Sequence, residues 1–122
     1  MYDYEQLNVY QKALELNKRV FDFLQSHKFI DYYLHDQLKR ASVSITLNIA
    51  EGAGRLSIAD RRHFFVISRG SAFESNSIIQ IIMNQYLIDD SFILPIQKLL
   101  MDITKMLFGL IKNTSFKSPL ET

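Results

Sequence analysis

A line of polar side chains crosses an otherwise apolar stretch, and these are the residues in the sequence best suited to chemistry. Their spacing of i, i+4, i+8, i+11 and i+15 places one strip on one helix: Arg40, Ser44, Asn48, Glu51 and Arg55. A second polar fragment follows in the next helical segment: Arg69-Gly70-Ser71 with Glu74. Together they could form a catalytic cluster, or a buried network that fixes the register of two helices.

Glu74 bears on the choice between these two interpretations. It shares a helical stripe with Ile78, which predicts a buried carboxylate. An unpaired buried charge is strongly unfavourable, so this carboxylate needs a partner. Arg40 and Arg55 are the available cations, and Asn48 is placed to bridge hydroxyl and carboxylate. We therefore expect Glu74 to be mostly buried and paired with an arginine of the preceding helix, in a structural network.

Other residues that support catalysis or metal binding are poorly placed. His27, His35 and His63 lie on different segments, and none completes the Glu-x-x-His motif of bundle metal sites. No histidine is placed to act as a base for the serines. The glycine-rich segment 52–54 lacks the third glycine and the preceding strand of a dinucleotide-binding loop. The sequence predicts no metal, no cofactor and no enzymatic activity.

Composition limits the class of protein. The chain has 122 residues, and its 14 basic and 13 acidic residues give a net charge of +1. That charge does not suggest a dedicated nucleic-acid binder, so such a role must rest on local charge. The absence of cysteine excludes disulfides and thiolate metal sites. The first residues mix acids with apolar side chains, which predicts neither a signal peptide nor a membrane span. We expect a cytoplasmic protein.

The elements that must position these residues are helices. Hydrophobic periodicity predicts four of them, over about 5–26, 34–54, 57–87 and 91–113, with a tail over 114–122 that frays. Short connections between long amphipathic helices favour antiparallel neighbours. The sequence thus predicts an all-α fold, a single domain over 1–122 built as an up-down-up-down four-helix bundle.

Two surfaces are expected to face outward from this bundle. The third helix is apolar nearly all round, and the second helix carries apolar residues on the side away from its core stripe: Val43, Leu47, Ala50 and Ala53. Exposed apolar area of this kind favours a homo-oligomer. Three arginines surround the turn between these helices: Arg55, Arg61 and Arg62. Repeated around a ring they would form a basic rim for phosphates, and the alternative is ordinary solvated charge at helix ends.

Three segments resemble a known bacterial family of four-helix-bundle proteins encoded within intervening sequences of 23S rRNA genes, often labelled as ribosomal proteins. They are LNVYQKALEL at 7–16, QLKRASVSITLNIAEGAGR at 37–55 and ISRGSAFE at 67–74. The family is similar to the accessory proteins of diversity-generating retroelements. The resemblance implies a bundle that forms a homopentameric ring, with nucleic-acid binding suspected in the retroelement relatives. The positions matched to the motifs are Arg40, Ser44, Asn48, Glu51, Gly52, Arg55, Gly70, Ser71 and Glu74.

We therefore expect a non-enzymatic oligomeric scaffold that binds RNA or DNA, with RNA as the first candidate. One alternative is a module for protein–protein assembly, which has a protein partner and no role with nucleic acid. A third is an enzyme that would use the polar cluster Arg40, Asn48, Glu51 and Glu74. Steep salt dependence would separate phosphate binding from apolar partner binding.

Overall fold

The computed structural model describes residues 2–113 of the chain, and in this range it is all-α, as predicted. The four helices are α1 (Asn8–Ser26), α2 (Tyr32–Ala53), α3 (Ile58–Gln85) and α4 (Asp90–Lys112), and no strand occurs among these residues. None of the four is long and apolar enough to cross a bilayer. The tail predicted to fray, 114–122, lies outside the described residues.

The predicted first helix is divided in the structure. A short 3-10 helix spans Asp3–Gln6, and Leu7 then adopts extended backbone with φ −69° and ψ 131° before α1 begins. The other helix ends lie within two residues of the prediction. The break at Leu7 lets the 3-10 helix contact α2 as well as α1. The chain start is thereby held against the bundle by local backbone geometry.

Polar caps explain where three of the helices begin. The side chains of Asp31, Ser57 and Asp89 each accept a hydrogen bond from a backbone N–H in the first turn, at 2.8–3.0 Å. The backbone N–H of Ser91, and then its side chain, hold the pKa of the Asp89 carboxyl below its usual range. Because this pKa is lower in the folded than in the unfolded state, the cap contributes its full stability above the unfolded-state pKa. That contribution is lost as the pH falls through the folded-state pKa.

Each helix packs against its neighbours in the chain, and α4 closes the bundle against α1. The amide of Asn17 on α1 donates to the carbonyl of Ser42 on α2 at 2.8 Å, while His35 of α2 contacts the carbonyl of His27 at the end of α1. Residue numbers therefore fall along one helix as they rise along the other. The contacts between α3 and α4 and between α4 and α1 follow the same order. This is the pairing that antiparallel neighbours produce.

The core is one connected hydrophobic cluster, mostly aliphatic with Phe23 and Phe65, to which all four helices contribute. Its largest fully buried side chains are Leu16, Val20, Leu24, Leu38, Ile45, Ile49, Ile79, Ile82, Ile93, Ile96, Ile103 and Leu107. Burial of each such side chain stabilises the fold by about 1.5–3 kcal/mol. Ile79 lies in this core, so it cannot belong to an outward-facing apolar surface, whereas Ile81 is 48% exposed.

The prediction placed Glu74 with Ile78 on the core stripe of α3. Ile78 is buried, but the buried stripe is rotated away from Glu74. The buried face passes through Phe65, Ser68, Ala72, Ser75 and Ile79. Serines are poor predictors of burial, but here their hydroxyls are satisfied by backbone carbonyls. Ser68 donates to the carbonyl of Ile45 and Ser75 to that of Ser71, both at 2.8 Å. Small side chains whose hydroxyls are hydrogen-bonded thus occupy buried positions that a hydrophobicity pattern assigns to neighbouring apolar residues.

Gly52 marks the closest approach of α2 to α3. An added Cβ there would lie 2.9 Å from Cε1 of Phe65 and 3.1 Å from Cβ of Phe64. The Phe65 ring is 5% exposed and is therefore packed on its other sides as well. The second mid-helix glycine carried over from the family motif, Gly70, has no atom within 4 Å of its Cβ position. Of these two glycines, only Gly52 serves close packing.

We expect Gly52→Ala and Gly70→Ala to change stability in opposite directions. Gly52→Ala overpacks the contact with Phe65 and should lower the free energy of unfolding by about 1–3 kcal/mol. Gly70→Ala replaces an exposed glycine inside a helix with a better helix former and should raise the free energy of unfolding by about 0.5–1 kcal/mol. Urea unfolding followed by circular dichroism measures both. Equal effects of the two substitutions would contradict the close approach at Gly52.

Candidate functional site

The arginines of the polar strip on α2 pair within their own helix. Arg40 Nε lies 2.9 Å from Asp36 Oδ2, and Arg55 Nη2 lies 3.1 Å from Glu51 Oε2. Both pairs are spaced i, i+4, and all four side chains are substantially exposed. Such pairs contribute about 0.3–0.5 kcal/mol each. The two arginines therefore do not reach across to a carboxylate of α3.

The middle of the strip forms a small network between α2 and α3. The hydroxyls of Ser44 and Ser71 lie 2.9 Å apart, and the amide of Asn48 donates to the carbonyl and hydroxyl of Ser44 at 2.8 and 3.0 Å. These groups are half-buried or buried at the helix seam. No titratable side chain of residues 2–113 hydrogen-bonds to them. The network can fix the register of the two helices, but it has no acid or base to move a proton.

The prediction that Glu74 is buried and paired with an arginine is wrong. Glu74 is exposed, and it makes no ion pair within the part of the chain that the structure describes. The cause is the rotation of α3. With Ser71, Ala72 and Ser75 turned inward, the position of Glu74 falls on the outer side of the helix. Among residues 2–113, the hydrogen bond that joins the strip to the Arg69–Glu74 fragment is the one between Ser44 and Ser71.

Arg61 does not belong to an outward-facing rim, contrary to the prediction. Its side chain is buried at 6% exposure, and Nη1 donates to the carbonyls of Arg55 and Leu56 at 2.8 and 3.2 Å. These carbonyls belong to the turn between α2 and α3, so Arg61 holds that turn closed. Arg55 and Arg62 are exposed, and the Arg55 guanidinium lies 4.8 Å from the ring centre of Phe64.

The outer face of α2 carries an apolar strip. Leu47 is 59% exposed, and Val43 and Ala50 are half-buried beside it. Ala53, predicted to join them, is instead buried at 5% exposure. Shallow hollows lie on both sides of Leu47, and charged or polar residues line them together with Tyr4: Lys39, Arg40, Ser44, Asn48, Glu51 and Arg55. The strip offers a flat apolar contact with a polar border.

Two of the histidines take structural positions. His27 is buried, contacts the carbonyl of Phe23 through Nδ1 at 2.7 Å and packs on the rings of Phe23 and Phe92. His35 contacts the carbonyl of His27 through Nε2 at 3.1 Å. Residues 2–113 contain no group of three or more histidine, aspartate or glutamate side chains arranged to hold a metal ion.

Sequence reasoning missed a groove between α3 and α4. The guanidinium of Arg69 lies 4.7 Å from the ring centre of Phe73 and 5.3 Å from that of Phe108, and its Nε donates to the carbonyl of Thr104 at 3.3 Å. Beside it is a hollow of about 340 Å³ lined by Ala72, Phe73, Asn76, Gln97, Leu100, Met101 and Thr104. No spacing in the sequence marks this groove, because its lining comes from two different helices.

Comparison with known proteins agrees with the family resemblance. A family model described as 23S rRNA-intervening sequence protein matches residues 5–109. A crystal structure of a protein of unknown function from the S23 ribosomal protein family of Bacteroides thetaiotaomicron VPI-5482 superposes with a TM-score of 0.80. It is 23% identical, and the match covers 86% of this chain and 99% of that one, so it supports the fold alone. No curated protein matches the chain.

Arg61→Met should destabilise the protein. The substitution leaves the carbonyls of Arg55 and Leu56 without their donor, which lowers the free energy of unfolding by about 1–3 kcal/mol. Arg40→Met is the control, because Arg40 is exposed and its local ion pair contributes about 0.5 kcal/mol or less. Thermal and urea unfolding measure both variants. If Arg61→Met has the same free energy of unfolding as the parent, the turn is stable without the hydrogen bonds from Arg61.

Glu74→Ala should change the free energy of unfolding by less than about 0.5 kcal/mol, as is typical of surface substitutions. The same urea titration tests this expectation. A loss of about 3–5 kcal/mol would instead indicate the buried ion pair that the sequence predicted and that the structure contradicts.

Proposed function

Because the chain belongs to the 23S rRNA-intervening sequence protein family, we propose that it acts as a non-enzymatic scaffold that forms a homo-oligomer and binds nucleic acid, with RNA as the first candidate. The family name connects its members with 23S rRNA, which makes RNA the first nucleic acid to test. A single domain over residues 1–122 and a cytoplasmic location are parts of the same proposal. One connected core shared by all four helices supports the single domain.

The observation that carries this proposal is the apolar strip on α2. Val43, Leu47 and Ala50 follow one another at intervals of four and three residues, the spacing of a helix that packs against another helix. The bundle leaves Leu47 more than half exposed. A second copy of the chain can cover the strip and bury it, and self-association of this kind is common among soluble proteins. A ring of five subunits is the assembly that the family resemblance suggests.

Assembly would also make nucleic-acid binding feasible for a chain of nearly neutral charge. With a net charge of +1, one subunit offers phosphates only local basic surface. Several copies that hold such a surface in fixed positions raise the overall affinity well above that of one subunit. The proposal therefore makes the oligomer the functional unit.

The near-neutral charge also favours the second candidate, a module that assembles proteins and binds no nucleic acid. Fluorescence anisotropy of a labelled single-stranded oligouridylate with the native oligomer separates the two. Under the first proposal, affinity falls steeply between about 50 and 200 mM salt, because binding releases counterions from the phosphates. No binding at low salt would replace the first proposal with the second. Both candidates are non-enzymatic, and within residues 2–113 no titratable side chain hydrogen-bonds to the serine and asparagine network.

Leu47→Lys should shift the oligomer toward the 14.3 kDa monomer. The substitution puts a charge into a contact that the proposal describes as apolar, and the desolvation of that charge opposes association. Multi-angle light scattering at micromolar concentration measures the mass. Leu87→Lys is the matched control, since Leu87 is fully exposed in the loop before α4. A parent that scatters as a monomer, or two variants with equal effects, would contradict assembly through α2.

A further inference from the structure

The outer face shared by α3 and α4 concentrates positive charge. Helical spacing places Arg62 and Arg69 on one strip of α3, with Val66, Phe73, Asn76 and Gln80. The outer face of α4 holds three lysines spaced seven residues apart, Lys98, Lys105 and Lys112. Met101 and Phe108 lie beside them on the side toward α3, and Asp102 lies beside them on the side toward α1. The acidic residue beside this row is Asp102, whose carboxylate lies 3.4 Å from Nζ of Lys12 on α1. In a chain with 14 basic and 13 acidic residues, five basic positions beside one aspartate make this face locally basic.

Arg69 is held in place at the middle of this face without a carboxylate partner. The rings of Phe73 and Phe108 lie 4.7 and 5.3 Å from its guanidinium, and the carbonyl of Thr104 accepts from its Nε. Neither Arg69 nor any of the three lysines joins an ion pair within residues 2–113, whereas Arg40 and Arg55 on α2 do. A cation ordered in this way is prepared to meet an anion, since its side chain has little freedom left to give up on binding.

The aromatic rings beside Arg69 are half exposed. Phe73 is 50% and Phe108 51% exposed, although both contact the guanidinium. The hollow next to them, about 340 Å³ in volume, is lined by the amides of Asn76 and Gln97. Flat apolar faces stack with unpaired bases, and amides can donate to or accept from base edges. The same face thus combines three kinds of group that recognise single-stranded nucleic acid.

We propose that the α3–α4 face, centred on Arg69, Phe73 and Phe108, binds single-stranded RNA. The lysines of α4 would contact the phosphate backbone of that RNA. This inference rests on the proposed RNA-binding function and assigns it a surface. A duplex would hide its bases from the two rings, so an unpaired strand fits better. Symmetric pairing of two copies through this face would bring like charges together, which disfavours it. The lysine row from 98 to 112 spans about 21 Å.

The test is the affinity of the native oligomer for fluorescein-labelled single-stranded oligouridylate, measured by anisotropy over a range of salt. Lys98→Glu with Lys105→Glu should weaken binding at least about tenfold and reduce the salt slope by about 0.7 for each phosphate that is no longer neutralised. The control is Lys18→Glu with Lys28→Glu, which makes the same change of charge at exposed positions outside this face. The control should bind within about twofold of the parent, since salt screens distant surface charges.

Phe108→Ala tests the stacking separately from the charge. It should weaken single-stranded RNA binding about tenfold while leaving the salt slope unchanged, because stacking neutralises no phosphate. Circular dichroism and light scattering establish that each variant remains folded and keeps the parent's mass. If the parent binds RNA and the two double charge variants weaken RNA binding equally, this face is not the binding surface, while the proposed function stands. If Lys98→Glu with Lys105→Glu changes the mass and not RNA binding, the face is a subunit contact. A parent that binds no RNA overturns both proposals.

Discussion

The close contact of α2 with α3 sets the orientation of every other feature described. Gly52 admits the Phe65 ring at one end of the contact, and the hydroxyls of Ser68 and Ser71 meet α2 along its length. Only small side chains allow two helices to approach so closely. Because the contact fixes the rotation of α3, Glu74 faces outward and Arg69 faces α4. A polar network that resembles a catalytic cluster in the sequence is, in the fold, the seam between two helices.

Much of the architecture could be predicted from the sequence, because long amphipathic periods and polar caps are local signals. Ser57 marks the start of α3, and the family motifs reach the same fold independently. The rotation of α3 could not be predicted in this way. Its buried serines have the right spacing but the wrong polarity, and their burial depends on carbonyls such as that of Ile45 on another helix. Arg61 was misplaced for the same reason, since its acceptors are backbone atoms of the preceding turn.

The charges of this chain are divided between ion pairs and a locally basic surface on α3 and α4. On α2, the strip with most polar residues neutralises its arginines with carboxylates one turn away. On α3 and α4, Arg69 contacts the lysine-bearing helix through Thr104, which is 35 residues away in the chain. The packing of antiparallel helices creates that basic surface. Since α2 and α4 are not neighbouring helices within the described residues, the apolar strip on α2 and the lysines of α4 lie at separate corners of the bundle.

The contact between Gly52 and Phe65 also bears on how such a sequence can diverge. Any side chain at position 52 would meet the ring at less than a normal contact distance. A homologue that carries alanine or serine there therefore needs a smaller residue at the position of Phe65, or a wider spacing of α2 and α3. The two positions should covary among homologues, while Gly70, with open space around it, should drift independently.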